Sequence, residues 1–278
     1  MKFIACETEY AAANIVLFGA PYDKTASNRK GARLAPAAMR LESQQIETYS
    51  PYVDRDLEDL RICDVGDLDL VEAEPFDVVD IISKWVNIML SDEKLPIMLG
   101  GEHLVTLGAV QAAFEKFPDL CVIHLDAHTD LRDEYPDGEK LSHATVIKRC
   151  HDFLGNGRIF QFGIRSGTRE EFEWAKSHTH LQRFDFAGFD KVVTKLGGKP
   201  IYFTLDIDVL DPSELCGTGT PEAGGVSFTA LRELIEKLGK LNIVAADIVE
   251  LAPQLDASGA STSLACKVLR ELLLSVGG

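Results

Sequence analysis

Short, almost uninterrupted apolar runs alternate with longer stretches of helical period along the chain. Runs such as VIHL, IYFTL and IVAADIV lack the in-and-out alternation of a half-wet antiparallel sheet and suit strands covered by helices on both faces. The pattern predicts strands near residues 14–19, 60–64, 96–99, 121–126, 158–163, 201–206 and 243–249, with an eighth around 181–184. Between them, helical spacing marks 35–41, 78–89, 104–117, 144–153, 169–176, 228–239 and 261–275. The last is the sharpest, with Leu264, Val268, Leu269, Leu272 and Leu273 on one face while Lys267 and Arg270 can turn outward. Ser227 or Thr229 can cap the helix before it, with Gly239 near its end. Such alternation implies parallel strands joined by crossover helices: a three-layer α/β/α fold, with a mostly parallel sheet of about eight strands flanked by helices. No linker, low-complexity tract or repeat breaks the series, so residues 1–278 are expected to form a single domain.

Composition narrows the picture. A hydrophobic fraction of 46% and a charged fraction of 26% are those of a folded globular protein, and no apolar run approaches the roughly 20 residues of a membrane helix. The opening MKFIACETEY has too short an apolar stretch and too early a glutamate for a secretory signal, which leaves the cytoplasm as the expected compartment. Cys6, Cys63, Cys121, Cys150, Cys216 and Cys266 are scattered without a CxxC pair and suit reduced packing thiols. A net charge of −16, with no local basic cluster, argues against nucleic acid and anionic membranes as partners and leans slightly towards a cationic ligand.

The chemistry concentrates where predicted strands end. In VIHLDAHTD, Asp126, His128 and Asp130 alternate with Ala127 and Thr129, so an extended chain would put all three on one face. His124 shares their parity but lies further back and reads as a core or supporting histidine. TLDIDVLDP repeats the spacing with Asp206 and Asp208, while Asp211 beside Pro212 reads as a turn residue. After PIML, Gly100 and Gly101 permit a tight turn that can present His103 at the same sheet edge. Ligands of open parallel sheets bind beyond the carboxyl ends of strands, where all three clusters fall. Asp126, Asp130, Asp206 and Asp208 with His103 and His128 suit two divalent ions sharing carboxylates, and the lack of cysteine ligands argues against structural zinc.

The segments GGEH, DAHTD, SHAT, DIDVLDP, GTGTPEAGG and DIVELAP follow one another in the order of the ureohydrolases, the arginase and agmatinase family, which the chain resembles over essentially its whole length. The wording at residues 50–52, 54–57, 100–104, 126–132 and 142–145 is most similar to the agmatinase branch of Gram-positive bacteria. The resemblance implies an arginase-like fold and two manganese(II) ions per chain, one held by His103, Asp126, Asp130 and Asp206 and the other by Asp126, His128, Asp206 and Asp208. Asp126 and Asp206 would bridge, and a hydroxide between the ions would attack a guanidinium carbon. It further implies that Asp130 passes the nucleophile's proton on, that His143 shuttles protons to the leaving amine, that Glu250 pairs with the guanidinium and that Thr220 lines the pocket. As bare sequence, His143 is equally a helix-entry residue after Ser142, and Thr220 a loop residue. Glu102 departs from the aspartate commoner there, which touches the surroundings of the site and not its ligands.

The reaction so implied is hydrolysis of agmatine to putrescine and urea, in polyamine biosynthesis, by a homo-oligomer, a trimer or hexamer. The stretch LRDEYPDGEKL lacks the asparagine and serine pattern with which arginases hold their substrate's α-amino and α-carboxylate groups. Its Asp133, Glu134, Asp137 and Glu139 would favour a distal ammonium, although each is also an ordinary solvated loop acid. Aminopropylagmatine, 4-guanidinobutyrate and arginine are the alternative substrates. A metal-binding regulatory or scaffold protein would be expected to have lost a ligand, His143 or Glu250, and none is missing; the six-ligand set disfavours a single-zinc deacetylase.

Overall fold

The structure, a computed structural model, describes residues 1–135 and 138–277, so Asp137 of the acidic loop lies outside it. Strands β1 (Ile15–Ala20), β2 (Ile62–Asp67), β3 (Leu95–Gly100), β4 (Cys121–Leu125), β5 (Ile159–Ile164), β6 (His180–Arg183), β7 (Pro200–Asp206) and β8 (Asn242–Val249) form one sheet. Their order is β2-β1-β3-β8-β7-β4-β5-β6, and every neighbouring pair is parallel. The expected strands are all present within a residue or three at their ends.

Helices α1 (Ala35–Glu42), α2 (Pro75–Ser91), α3 (Val105–Lys116), α4 (Val146–Leu154), α5 (Arg169–His178), α6 (Phe189–Leu196), α7 (Phe228–Leu238) and α8 (Ala260–Val276) cover both faces. Strand parity decides which core a side chain joins. Ile15, Leu17, Ile201 and Phe203 pack with α1, α6, α7 and α8. Val16, Phe18, Val122 and Tyr202 pack with α2, α3, α4 and α5. This double coverage is why the strands read as continuous apolar runs. Ser227 caps α7 as expected, its hydroxyl accepting from Ala230 N at 3.2 Å.

Helix α6 is absent from the sequence expectation. Only eight residues long, it still carries apolar Phe189, Val192, Val193 and Leu196 at helical spacing, with Phe189 and Leu196 buried, and that spacing was the available signal. Among the described residues no helix is long and apolar enough to cross a membrane.

The topology brings β3, β8, β7 and β4 side by side at the centre of the sheet, so the loops leaving their carboxyl ends meet. The loop after β3 is packed backbone against backbone: Glu102 N donates to Tyr22 O at 2.8 Å, and Glu250 N donates to Gly101 O at 2.8 Å. A Cβ on Gly101 would stand 1.9 Å from the Tyr22 carbonyl oxygen. The chain turns here and presents His103 at the sheet edge as expected; the glycine's φ is not among the positive ones, and what it adds is room for close approach. Gly101→Ala is expected to destabilise the fold by about 1–3 kcal/mol through overpacking, read as a lower midpoint in urea unfolding. A midpoint unchanged from the parent would show that the loops can part at no cost.

Candidate active site

The strand ends do not simply extend into the site. β4 stops at Leu125, and β7 gives way at Ile207 to a single 3-10 turn, Ile207–Val209. At both ends the first aspartate folds back on the chain: Asp126 Oδ1 accepts from His128 N, and Asp206 Oδ1 accepts from Asp208 N at 2.8 Å. The alternation D-x-H-x-D thus converges by turning and not by pleat, and Asp130 reaches the cluster in the left-handed region, φ 52°. That conformation is unfavourable for a residue with a Cβ and must be held by its surroundings. Thr129 Oγ1 and Leu131 N both donate to Glu171 Oε1, at 2.6 and 3.1 Å, clamping the residues either side of Asp130.

Six expected ligands come together. His103 Nδ1 lies 3.1 Å from Asp130 Oδ2, 3.2 Å from Asp126 Oδ2 and 3.4 Å from Asp206 Oδ2. On the other side of Asp126, His128 Nδ1 stands 3.4 Å from Asp126 Oδ1 and 3.0 Å from Asp208 Oδ2. Asp126 therefore belongs to two adjoining ligand groups. Despite its three carboxylate neighbours, buried His103 Nδ1 makes no well-directed hydrogen bond, while Nε2 is engaged by Thr204 Oγ1 at 2.9 Å. A nitrogen aimed into carboxylate oxygens without a bond is the arrangement a shared cation satisfies, so the residues present fit a binuclear divalent-metal centre.

His124 also approaches the first group, with Nε2 2.8 Å from Asp126 Oδ2. Its neighbours argue that it supports and does not ligate. Thr179 Oγ1 donates to Gln161 Oε1 at 3.0 Å, and Gln161 Nε2 donates to Thr129 O at 2.8 Å, which fixes the amide's orientation. Gln161 Nε2 then faces His124 Nδ1 at 3.1 Å as a donor, so the ring proton sits on Nε2 and is given to Asp126.

The electrostatics are those of a crowded acid cluster. Burial, then Asp208 and Asp126, push Asp206 well above the usual carboxylate range; burial and Asp126 raise Asp130. Asp126 is held well below that range against burial by His124, His103 and His128. Burial would lower His103, yet Asp126, Asp130 and Asp206 hold it well above an ordinary histidine.

Glu250, also in the left-handed region at φ 65°, accepts from His103 N at 2.9 Å. Its Oε1 is 3.5 Å from His143 Nδ1, while Ser27 N donates to His143 Nε2 at 3.2 Å. Burial lowers the imidazole's pKa, but Glu250, with Asp130 and Glu102, outweighs it and lifts the group to about 9. The Ser27 N–H opposes a second proton on Nε2 and works against that rise.

A cavity of about 290 Å³ opens onto this cluster, lined among others by Ser27, His128, Asp130, His143, Asp206 and Thr220. Thr220 is a wall residue as expected, with Oγ1 3.4 Å from Asp208 Oδ2. His103, Asp126, Asp208 and Glu250 do not line it. The acidic loop behaves differently from its expected role: Arg132 and Tyr135 line the cavity, whereas Asp133 and Glu134 line a neighbouring one. Asp133 is paired with Arg149 at 2.7 Å, and Glu139 accepts from Leu141 N. Beside Asp130 and Asp206, Glu171 is a further carboxylate on the wall, and nothing in its surrounding sequence marked it as part of the site. Asp211 is a turn residue as read, accepting from Ser213, Gly224 and Gly225. All six cysteines are free, and only Cys216 is exposed.

Residues 13–275 match the arginase family. The chain is 44% identical over 276 residues to an agmatinase of Bacillus subtilis, covering 98% of this chain and 95% of that one. It is 37% identical over 247 residues to an N(1)-aminopropylagmatine ureohydrolase of Thermococcus kodakarensis, covering 86% and 83%. The crystal structure of a proposed agmatinase from Clostridium difficile superposes with a TM-score of 0.94 at 50% identity, covering 97% of this chain and 99% of that one.

Because Asp126 belongs to both ligand groups, Asp126→Asn should lower the metal content of both sites and abolish hydrolytic activity, as measured by elemental analysis of protein dialysed against divalent metal. Full metal content in that variant would remove Asp126 from the shared position.

Proposed function

This chain belongs to the arginase family, and from that premise we propose that it hydrolyses agmatine to putrescine and urea, with two manganese(II) ions per chain. The observation that carries the reading is the convergence of six ligand side chains with His143 and Glu250 beside one cavity. His103, Asp126, Asp130 and Asp206 would hold one ion, and Asp126, His128, Asp206 and Asp208 the other. Bound there, the ions supply a hydroxide nucleophile at neutral pH and neutralise the crowded carboxylates.

The chain's own residues do the rest. Glu250 pairs with the guanidinium and orients its carbon. As a C–O bond forms at that carbon, resonance over the three nitrogens is lost, and one C–N bond must then break with its nitrogen leaving as an amine. Asp130 accepts the proton released by the nucleophile, and His143 delivers one to the departing nitrogen. Thr220 contributes a hydroxyl to the pocket wall. We read residues 1–278 as a single domain, a homo-oligomer (trimer or hexamer) in the cytoplasm.

A second reading has its own support. Arg132 on the cavity wall, with its Nε 3.7 Å from Glu171 Oε2, and the absence of Asp133, Glu134 and Glu139 from that wall favour a guanidine with a carboxylate tail such as 4-guanidinobutyrate. Urea release by manganese-loaded protein, with a chelated control, separates the two when agmatine, 4-guanidinobutyrate, aminopropylagmatine and arginine are compared. Chelator-sensitive preference for agmatine is expected; preference for 4-guanidinobutyrate would transfer the assignment to the second reading, and no urea from any would overturn both.

Protonated His143 is the form that donates. Glu250 raises its pKa towards about 9 and the Ser27 N–H on Nε2 opposes that rise, so the doubly protonated form is lost as pH rises through a value no higher than about 9. His143→Ala should therefore retain metal, lose about 100-fold or more in kcat, and lack the alkaline fall in kcat that the parent shows. An identical pH profile in parent and variant would remove the proton-transfer role.

A further inference from the structure

Residues Tyr22 to Arg29 form a strap that places Ser27 on the wall of the cavity, and both ends are pinned to distant parts of the chain. At the far end, Asn28 Nδ2 donates to Gly219 O at 3.0 Å and Arg29 Nη2 to Thr218 O at 3.1 Å, next to Thr220. At the near end stands Glu102, fully buried, whose two carboxylate oxygens are both spent on one residue. Thr25 N donates to Oε1 at 2.8 Å and Thr25 Oγ1 to Oε2 at 2.7 Å. With its proton given to Glu102, the Thr25 hydroxyl has lone pairs free to accept, and His143 N donates to it at 3.2 Å. Two residues on, Ser27 N donates to His143 Nε2 at 3.2 Å. The strap thus holds His143 at two points, one on its backbone and one on its ring.

We propose that Glu102 is a positioning residue for His143: by clamping Thr25 it fixes the strap whose Thr25 hydroxyl and Ser27 N–H hold the histidine, placing the ring proton on Nδ1 towards Glu250. The proposal gives the glutamate at this position a task its sequence context does not reveal, since the carboxylate bonds to Thr25 and acts through a loop 77 residues away in the chain. It rests on the proton-transfer role read above for His143. A strap that merely closes the cavity would have no need to engage an imidazole nitrogen.

The test is a double-mutant cycle on the manganese-loaded enzyme. Thr25→Val keeps the shape of the side chain and the backbone N–H to Glu102 Oε1 but can neither donate to Glu102 Oε2 nor accept from His143 N; Thr25→Ser keeps both hydroxyl bonds. Thr25→Val and Glu102→Gln are each expected to lower kcat by about tenfold, Thr25→Ser to restore it, and neither to slow the His143→Ala enzyme further. Metal content is measured alongside; should Glu102→Gln lose metal through its neighbour His103, Thr25→Val carries the test. Heteronuclear NMR of the neutral His143 ring, recorded at alkaline pH with diamagnetic zinc in place of paramagnetic manganese, gives the independent readout: a proton on Nδ1 in the parent, and a changed tautomer balance in Thr25→Val. Parental kcat and ring signals in Thr25→Val, or an equal loss in the His143→Ala background, would overturn the proposal. A His143→Ala enzyme as fast as the parent would instead overturn the role of His143, and this proposal with it.

Discussion

Negative charge buried at the middle of the sheet is the constraint from which the rest follows. Asp126, Asp206, Asp208, Asp130 and Glu250 all lie below a tenth exposed at the ends of adjoining strands, where mutual repulsion and lost hydration each work against ionisation. The fold answers in two ways. It sets His103, His128 and His124 among the carboxylates. It turns backbone N–H groups towards them, as His128 and Asp208 do for Asp126 and Asp206. What remains uncompensated, above all the unbonded Nδ1 of His103, is a demand for cations. The metal affinity of such a cluster and its instability without metal are one property seen from two sides.

Two residues carry this further by standing in backbone conformations that side chains usually avoid. Asp130 and Glu250 both have positive φ, and each is over-determined by neighbours: Asp130 by the Glu171 clamp on residues 129 and 131, Glu250 by its N–H donating to Gly101 O and its Oε1 accepting from His103 N. Strain held at a site in this way fixes where a carboxylate points before any ligand arrives. The cores on either side of the sheet supply the rigidity against which it is held.

Much of this was legible in the chain. The strands were readable because both faces of the sheet are covered, which leaves an unbroken apolar signature at VIHL and IYFTL; the six ligand candidates were readable because acids and histidines at the ends of such runs have few other reasons to be there. The short helix Phe189–Leu196 escaped because its apolar residues are few and lie among lysines. Contacts that depend on how distant segments pack together also escaped. Thr25, Ser27, Gln161 and Glu171 belong to residue types common on any surface, and only three-dimensional placement sets them against His143, His124 and Asp130. The acidic loop was over-read for the same reason: its charges were visible, but the directions of Asp133 and Glu139 were not.

The strap's bonds join residues separated by 77, 116 and 191 positions along the chain. Contacts of such span close late, because the loop entropy must be lost before they stabilise anything. During synthesis the ligands of β3 and β4 emerge long before Asp206, Asp208 and Glu250, so a nascent or interrupted chain holds only part of a metal cluster. Capture of cations with this geometry is therefore an act of the completed polypeptide, and the architecture itself withholds hydrolytic competence from fragments and half-made chains.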